Sequence, residues 1–127
     1  MIYGIGTDIV EIARVERVLS RYGERFARRI LCPPELARFH AHNKPVAYLA
    51  KRFAAKEAFT KALGTGIHAP ANWHGVWVVN LRSGQPKLEF SPALAALMQR
   101  RGVARSHLSL SDEREFASAT VILESGA

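Results

Sequence analysis

From Leu49 to Ile67 the chain reads LAKRFAAKEAFTKALGTGI, and this run constrains the fold more than any other. Ala, Leu, Lys, Arg and Glu lose little on entering a helix, so Val46 to Leu63 is expected to be helical, with Gly64 stopping it in the left-handed conformation. Ala50, Ala54, Ala58 and Ala62 recur every fourth residue and form a stripe of methyl groups that lets a sheet or helix approach closely. Phe53, Glu57 and Lys61 form a second row at the same spacing, placing a carboxylate and an ammonium on one face. By itself such a pair is also what an ordinary solvated helix face carries.

Upstream, Ile2 to Glu11 reads as a strand whose one face holds Gly4, Gly6, Asp8 and Val10. Two positions without side chains beside an aspartate either leave room for a ligand against the backbone or admit a packed helix. Spacing alone does not choose between them. Ile12 to Leu31 reads as one helix, with Ile12, Val15, Leu19, Tyr22, Phe26 and Ile30 on its apolar stripe. Arg14, Arg17, Arg21, Arg25 and Arg28 form a second row. Such a row suits an acidic helix, because guanidinium groups fork carboxylates. It is equally what a solvated face would show.

Cys32-Pro33-Pro34 breaks the chain, a short helix from Glu35 to about His42 follows, and Asn43-Lys44-Pro45 turns into the long helix. His40 and His42 are read as surface residues. After a Gly, Pro and Asn loop, Trp73 to Asn80 pairs as a strand with Lys87 to Phe90, and Trp73 and Trp77 are anchors in a core or interface. Ser91-Pro92 caps a helix that runs to Arg101. His107 to Ser111 and Phe116 to Glu124 then make a hairpin, with His107, Ser109 and Ser111 on one face. The fold class is α+β, a largely antiparallel sheet packed against a long central helix.

All 127 residues make one domain, long enough to bury about two-thirds of the unfolded surface. Eighteen Lys and Arg against eleven Asp and Glu give a net charge of +7, which attracts polyanions such as nucleic acid, phosphate cofactors or an acidic protein. The single cysteine, Cys32, rules out an internal disulfide and suits a reducing cytoplasm. The acidic N-terminal stretch is unlike a signal peptide, and no run is apolar enough for a membrane helix.

Asp8 and Glu57, on different elements, suit a shared Mg²⁺, which takes one or two protein carboxylates and fills the rest of its shell with water and phosphate oxygens. No Cys/His cluster suits zinc. Lys61 and Arg52 supply positive charge, and the amides of Gly64-Thr65-Gly66 offer a phosphate an unobstructed backbone. These ingredients point to metal-assisted chemistry on a phosphate ester. A nucleic-acid-binding protein using the arginine row with Lys51, Arg52, Lys56 and Lys61 is a rival; it lacks aromatic RNA-binding motifs or a helix-turn-helix.

Three segments, Gly4-Ile5-Gly6-Thr7-Asp8-Ile9-Val10-Glu11-Ile12, Arg52-Phe53-Ala54-Ala55-Lys56-Glu57-Ala58 through Lys61-Ala62-Leu63-Gly64-Thr65-Gly66-Ile67, and His107-Leu108-Ser109-Leu110-Ser111-Asp112-Glu113, resemble the signatures of the short bacterial 4′-phosphopantetheinyl transferases, the holo-acyl-carrier-protein synthase class. The resemblance spans essentially the whole chain and implies that family's fold and a homotrimer with sites between subunits. It implies coenzyme A as donor and a serine of acidic apo-acyl carrier protein as acceptor, with adenosine 3′,5′-bisphosphate released, in support of fatty acid biosynthesis. It also implies Asp8 and Glu57 as Mg²⁺ ligands, Lys61 on the phosphates, and Arg52 with Gly64, Thr65 and Gly66 along the coenzyme. His107 then lines the adenosine 3′-phosphate side and Arg14 meets the carrier protein, where the periodicity of the arginine row adds Arg17 and Arg21. The serine proton leaves through a metal-activated water or an acid such as Glu57. A rival to that reading is a structural trimer that binds coenzyme A without turning it over, and neither membrane nor nucleic acid is an expected partner.

Overall fold

A computed structural model describes residues 1–126. The elements in chain order are β1 (Ile2–Glu11), α1 (Ile12–Tyr22), α2 (Glu24–Ile30), α3 (Pro33–Ala41), α4 (Pro45–Leu63), β2 (Val76–Asn80), β3 (Pro86–Phe90), α5 (Pro92–Arg100), β4 (Val103–Asp112) and β5 (Phe116–Ser125). The fold is α+β and its strand pairs are antiparallel, but they divide into two sheets. One has the order β1-β5-β4; the other is the β2-β3 hairpin.

α4 lies on the larger sheet because its alanine stripe and the β1 glycines leave no side chains between two backbones. Ala50, Ala54 and Ala58 are fully buried and Ala62 nearly so. A Cβ built on Gly4 would stand 2.0 Å from the Ala62 carbonyl oxygen, and one on Gly6 1.9 Å from that of Ala58. Of the two readings of these glycines, the packed helix holds. Ala117, Ala119, Val121 and Leu123 of β5 complete this side of the core, as period-two alternation requires.

The opposite face of the sheet has no element over it among the described residues. Ile5 and Ile9 of β1 are 60% and 67% exposed. Across it run the rows Ile9–Ser118–Ser111, Thr7–Thr120–Ser109 and Ile5–Ile122–His107.

Two boundaries differ from expectation. The stretch from Ile12 to Leu31 is two helices, broken at Gly23 with φ 62° and ψ −141°. Its N–H closes α1 on the Leu19 carbonyl, and its own carbonyl accepts from Phe26 N. The apolar spacing continues across the break, which hides it from periodicity; only the glycine marks it. Arg25 and Arg28 therefore belong to α2 rather than to the α1 row. Likewise β2 begins at Val76, and Trp73 lies in the preceding turn, where Gly75 N bonds the Asn72 carbonyl. Elsewhere differences are small: α3 starts at Pro33, and Ser91 caps α5 through Leu94 N.

Candidate active site

Asp8 points from β1 toward α4 and is half-buried. Lys61 Nζ donates to Asp8 Oδ1 at 3.2 Å and to the Thr7 carbonyl at 3.1 Å. Glu57, one helical turn before Lys61, is also half-buried. Burial pushes its carboxyl above the ordinary range, the Asp8 charge adds to the rise, and Lys61 opposes it. Two acids from distant parts of the sequence thus share one electrostatic environment with one ammonium. The close β1–α4 packing sets their separation.

No group of three His, Cys, Asp or Glu converges among the described residues, so the donor set is two carboxylates. That fits a hard cation that keeps several waters and does not fit zinc. The raised Glu57 carboxyl has a measurable sign. The folded chain holds that proton more tightly than the unfolded one, so stability is lost as pH rises through the raised value. In metal-free protein, Glu57→Gln is expected to melt higher than the native chain at pH 7. The difference should vanish below about pH 4, where both side chains are neutral; thermal melts in chelator across that range check it.

The remaining expected residues are placed as follows. Gly64 and Gly66 have φ of 89° and 64°, and side chains there would meet open space. The amides of Gly64, Thr65 and Gly66 all converge on the Thr60 carbonyl, at 2.9, 3.1 and 3.3 Å. Unlike the expected phosphate cradle, they are engaged inside the turn, where Gly64 and Gly66 leave bare backbone toward open space and the Thr65 hydroxyl donates to the Gly66 carbonyl. Arg52 is buried, donating to Asn80 Oδ1 at 2.8 Å and lying 4.1 Å over the Tyr48 ring. On a helix of 3.6 residues per turn it stands ~140° around α4 from Glu57, and the structure does not bring it to the acid pair. Its Nε is the only buried side-chain nitrogen or oxygen without a partner among the described residues.

His107 lies on the sheet face opposite Asp8, hydrogen-bonded to Glu124, whose carboxyl is held below its usual range by His107 and Arg105. With Lys87, Arg105 and Trp77 it lines an open cleft of about 600 Å³ between β3 and β4. Within one chain it does not reach Asp8 or Glu57.

Arg14, Arg17 and Arg21 are exposed on α1; Arg17 leans toward Glu11 at 3.5 Å. Behind this row is a groove of about 370 Å³ walled by Val18, Tyr22, Phe26, Phe53 and Trp73 and rimmed by Arg25 and Arg29. Phe53 and Trp73 stack with centroids 5.1 Å apart. Sequence reasoning missed this groove, although Phe53 in one row with Glu57 signalled that an aromatic wall adjoins the acids. The rival nucleic-acid face loses two of its cations, since Arg52 and Lys56 are buried.

The model of the 4′-phosphopantetheinyl transferase superfamily matches residues 4–121. The chain belongs to this superfamily. Within it, a holo-acyl-carrier-protein synthase of Thiobacillus denitrificans is 48% identical over 100% of this chain and 97% of its own length, and one of Nitrosomonas europaea 52% identical over 98% and 99%. A crystal structure of the holo-acyl-carrier-protein synthase of Neisseria meningitidis superposes with a TM-score of 0.95 at 47% identity, covering 98% of this chain and 99% of that one. A superfamily member from Bacillus anthracis in complex with CoA (3′,5′-ADP) gives 0.83 at 38% identity, covering 99% of both chains.

Proposed function

We propose that the chain transfers 4′-phosphopantetheine from coenzyme A to a serine hydroxyl of an acidic apo-acyl carrier protein, releasing adenosine 3′,5′-bisphosphate, in support of fatty acid biosynthesis. The observation that carries this reading is the Asp8–Glu57–Lys61 cluster across β1 and α4, beside a cationic and aromatic face. The relatives named holo-acyl-carrier-protein synthase and the relative solved with CoA (3′,5′-ADP) support it. The serine hydroxyl gives up its proton to water or to an acid such as Glu57 as its oxygen bonds to the β-phosphorus; the bond from that phosphorus to the bridging oxygen breaks, and the leaving group keeps the electron pair. Such a transfer needs positioning and charge neutralisation more than covalent chemistry.

Asp8 and Glu57 would hold Mg²⁺, which supplies charge withdrawal from the pyrophosphate when bound. Lys61, on a flexible stem, exchanges its bond to Asp8 for a phosphate oxygen. Gly64 and Gly66 give the coenzyme backbone with no side chain in its way, and Thr65 lies between them with its hydroxyl turned onto the Gly66 carbonyl. Arg52 contributes by joining α4 to β2 through Asn80. The decisive assay is mass spectrometry of apo-carrier protein incubated with the chain, coenzyme A and Mg²⁺; absence of the phosphopantetheine mass would rule the reading out.

Arg14, Arg17 and Arg21 receive the acidic helix of the carrier, and the groove behind them takes one of its apolar side chains. Arg14→Glu is expected to raise the carrier-protein KM about tenfold while the coenzyme KM stays within twofold. Equal changes in both would contradict the assignment.

The assembly that fits is a homotrimer with sites between subunits. Ile5 and Ile9 lie bare on the sheet face that carries His107, and His107 reaches an acid pair only if a neighbouring copy presents its own. Light scattering should read three chain masses, and a fully active monomer would overturn the arrangement.

A further inference from the structure

Lys56 precedes Glu57 on α4 but points into the protein and is fully buried. Its Nζ donates to the Ile30 carbonyl at 2.5 Å, to the Trp73 carbonyl at 2.7 Å and to Glu35 Oε1 at 2.7 Å. An ammonium has three protons to give, and all are given. Glu35, 1% exposed, accepts in turn from Cys32 N through Oε1 and from Val78 N through Oε2, both at 2.9 Å. One ion pair thus ties α4 to the end of α2, the start of α3, the turn before β2 and β2 itself.

Buried pairs of this kind add little net stability, because desolvation offsets their attraction, and apolar replacements are often as stable. What this pair fixes is geometry. Two of its acceptors are carbonyls of residues that line the acceptor groove: Ile30 and Trp73. The Trp73 ring stacks on Phe53, which stands three residues before Lys56 on α4, nearly one turn away and thus close on the same helix surface. The stacked wall is therefore registered to α4, and so to Glu57, through the Lys56 ammonium.

We propose that Lys56 and Glu35 are a positioning pair that sets the shape of the acceptor groove and thereby the enzyme's selectivity for the carrier protein. The pair touches no substrate; it acts through Trp73 and Phe53. This rests on the reading of the groove as the place where an apolar side chain of the carrier enters.

The test compares Lys56→Met/Glu35→Leu, which replaces both charges with an apolar filling, with Glu35→Gln, which keeps the side-chain shape and its hydrogen-bonding capacity while removing the carboxylate charge. Phe26→Ala probes the groove directly. Leu94→Ala, in the core of α5, supplies loss of stability away from the groove. The double variant is expected to raise the carrier KM about tenfold, and Glu35→Gln about threefold, with the coenzyme KM within twofold in both. Leu94→Ala should leave both constants unchanged despite a comparable or larger fall in Tm. If the pair variants keep the native carrier KM while Phe26→Ala raises it, the positioning role is overturned and the docking reading stands. If Phe26→Ala is also without effect, the docking reading falls and this inference with it. A rise in carrier KM with Leu94→Ala matching that of the pair variants would reduce the effect to general loss of stability and overturn the proposal.

Discussion

Asp8→Asn and Glu57→Gln are each expected to lower the rate of phosphopantetheine transfer by about 10³-fold or more, equivalent to about 4 kcal/mol of transition-state stabilisation. Both substitutions keep shape and remove charge. Both sites are half-buried and outside the hydrophobic core, and a pair like Lys61–Asp8, whose ammonium is exposed to water, contributes ~1 kcal/mol. The melting temperature should therefore hold for Asp8→Asn and, in metal-free protein at pH 7, rise for Glu57→Gln, while activity disappears in both; thermal melts run beside a coenzyme-to-carrier transfer assay separate the two. Native turnover by either variant at saturating Mg²⁺ would contradict the role assigned to the acids.

Gly6→Ala is expected to cost about 3 kcal/mol or more, at the upper end for overpacking, and to lower Tm by about 10 °C or more. The added Cβ would stand 1.9 Å from the Ala58 carbonyl oxygen and 2.7 Å from Ala62 N. Both are backbone atoms, so no side chain can rotate away; β1 and α4 must part. That would also draw Asp8 away from Glu57, so whatever fraction folds should transfer poorly. Gly64→Ala makes the contrast: its strain comes from a left-handed φ alone, with open space around it, and should cost only about 1 kcal/mol. A Gly6→Ala chain melting within a few degrees of the native one would refute the close approach.

Sequence reasoning reached furthest where one local rule decides the outcome. Ala50, Ala54, Ala58 and Ala62 announced a close packing face, and β1 supplied the glycines to match. Asp8 and Glu57 came together because strand alternation and the four-residue row leave each side chain only one direction. The rule failed where two elements share a period, as at Gly23, where apolar spacing runs on through a break. It was silent on Arg52, since a cation on a helix gives no sign that Asn80 and the Tyr48 ring wait for it across the core. It was equally silent on the inward amides of the Gly64-Thr65-Gly66 turn, because hydrogen-bond direction is a property of the closed turn. His107 was assigned correctly to a strand face, but only the sheet order reveals that this face looks away from the acids.

The Lys61 ammonium resting on Asp8 also bears on which visitor can enter first. Two carboxylates against one ammonium leave the cluster about one negative charge, too little to strip a strongly hydrated divalent ion of its water unaided. A coenzyme pyrophosphate would change that balance by drawing the lysine toward itself and so freeing the aspartate. A Mg²⁺ held by Asp8 and Glu57 would then arrive with the nucleotide, and its affinity measured alone should be far weaker than its affinity measured with coenzyme present.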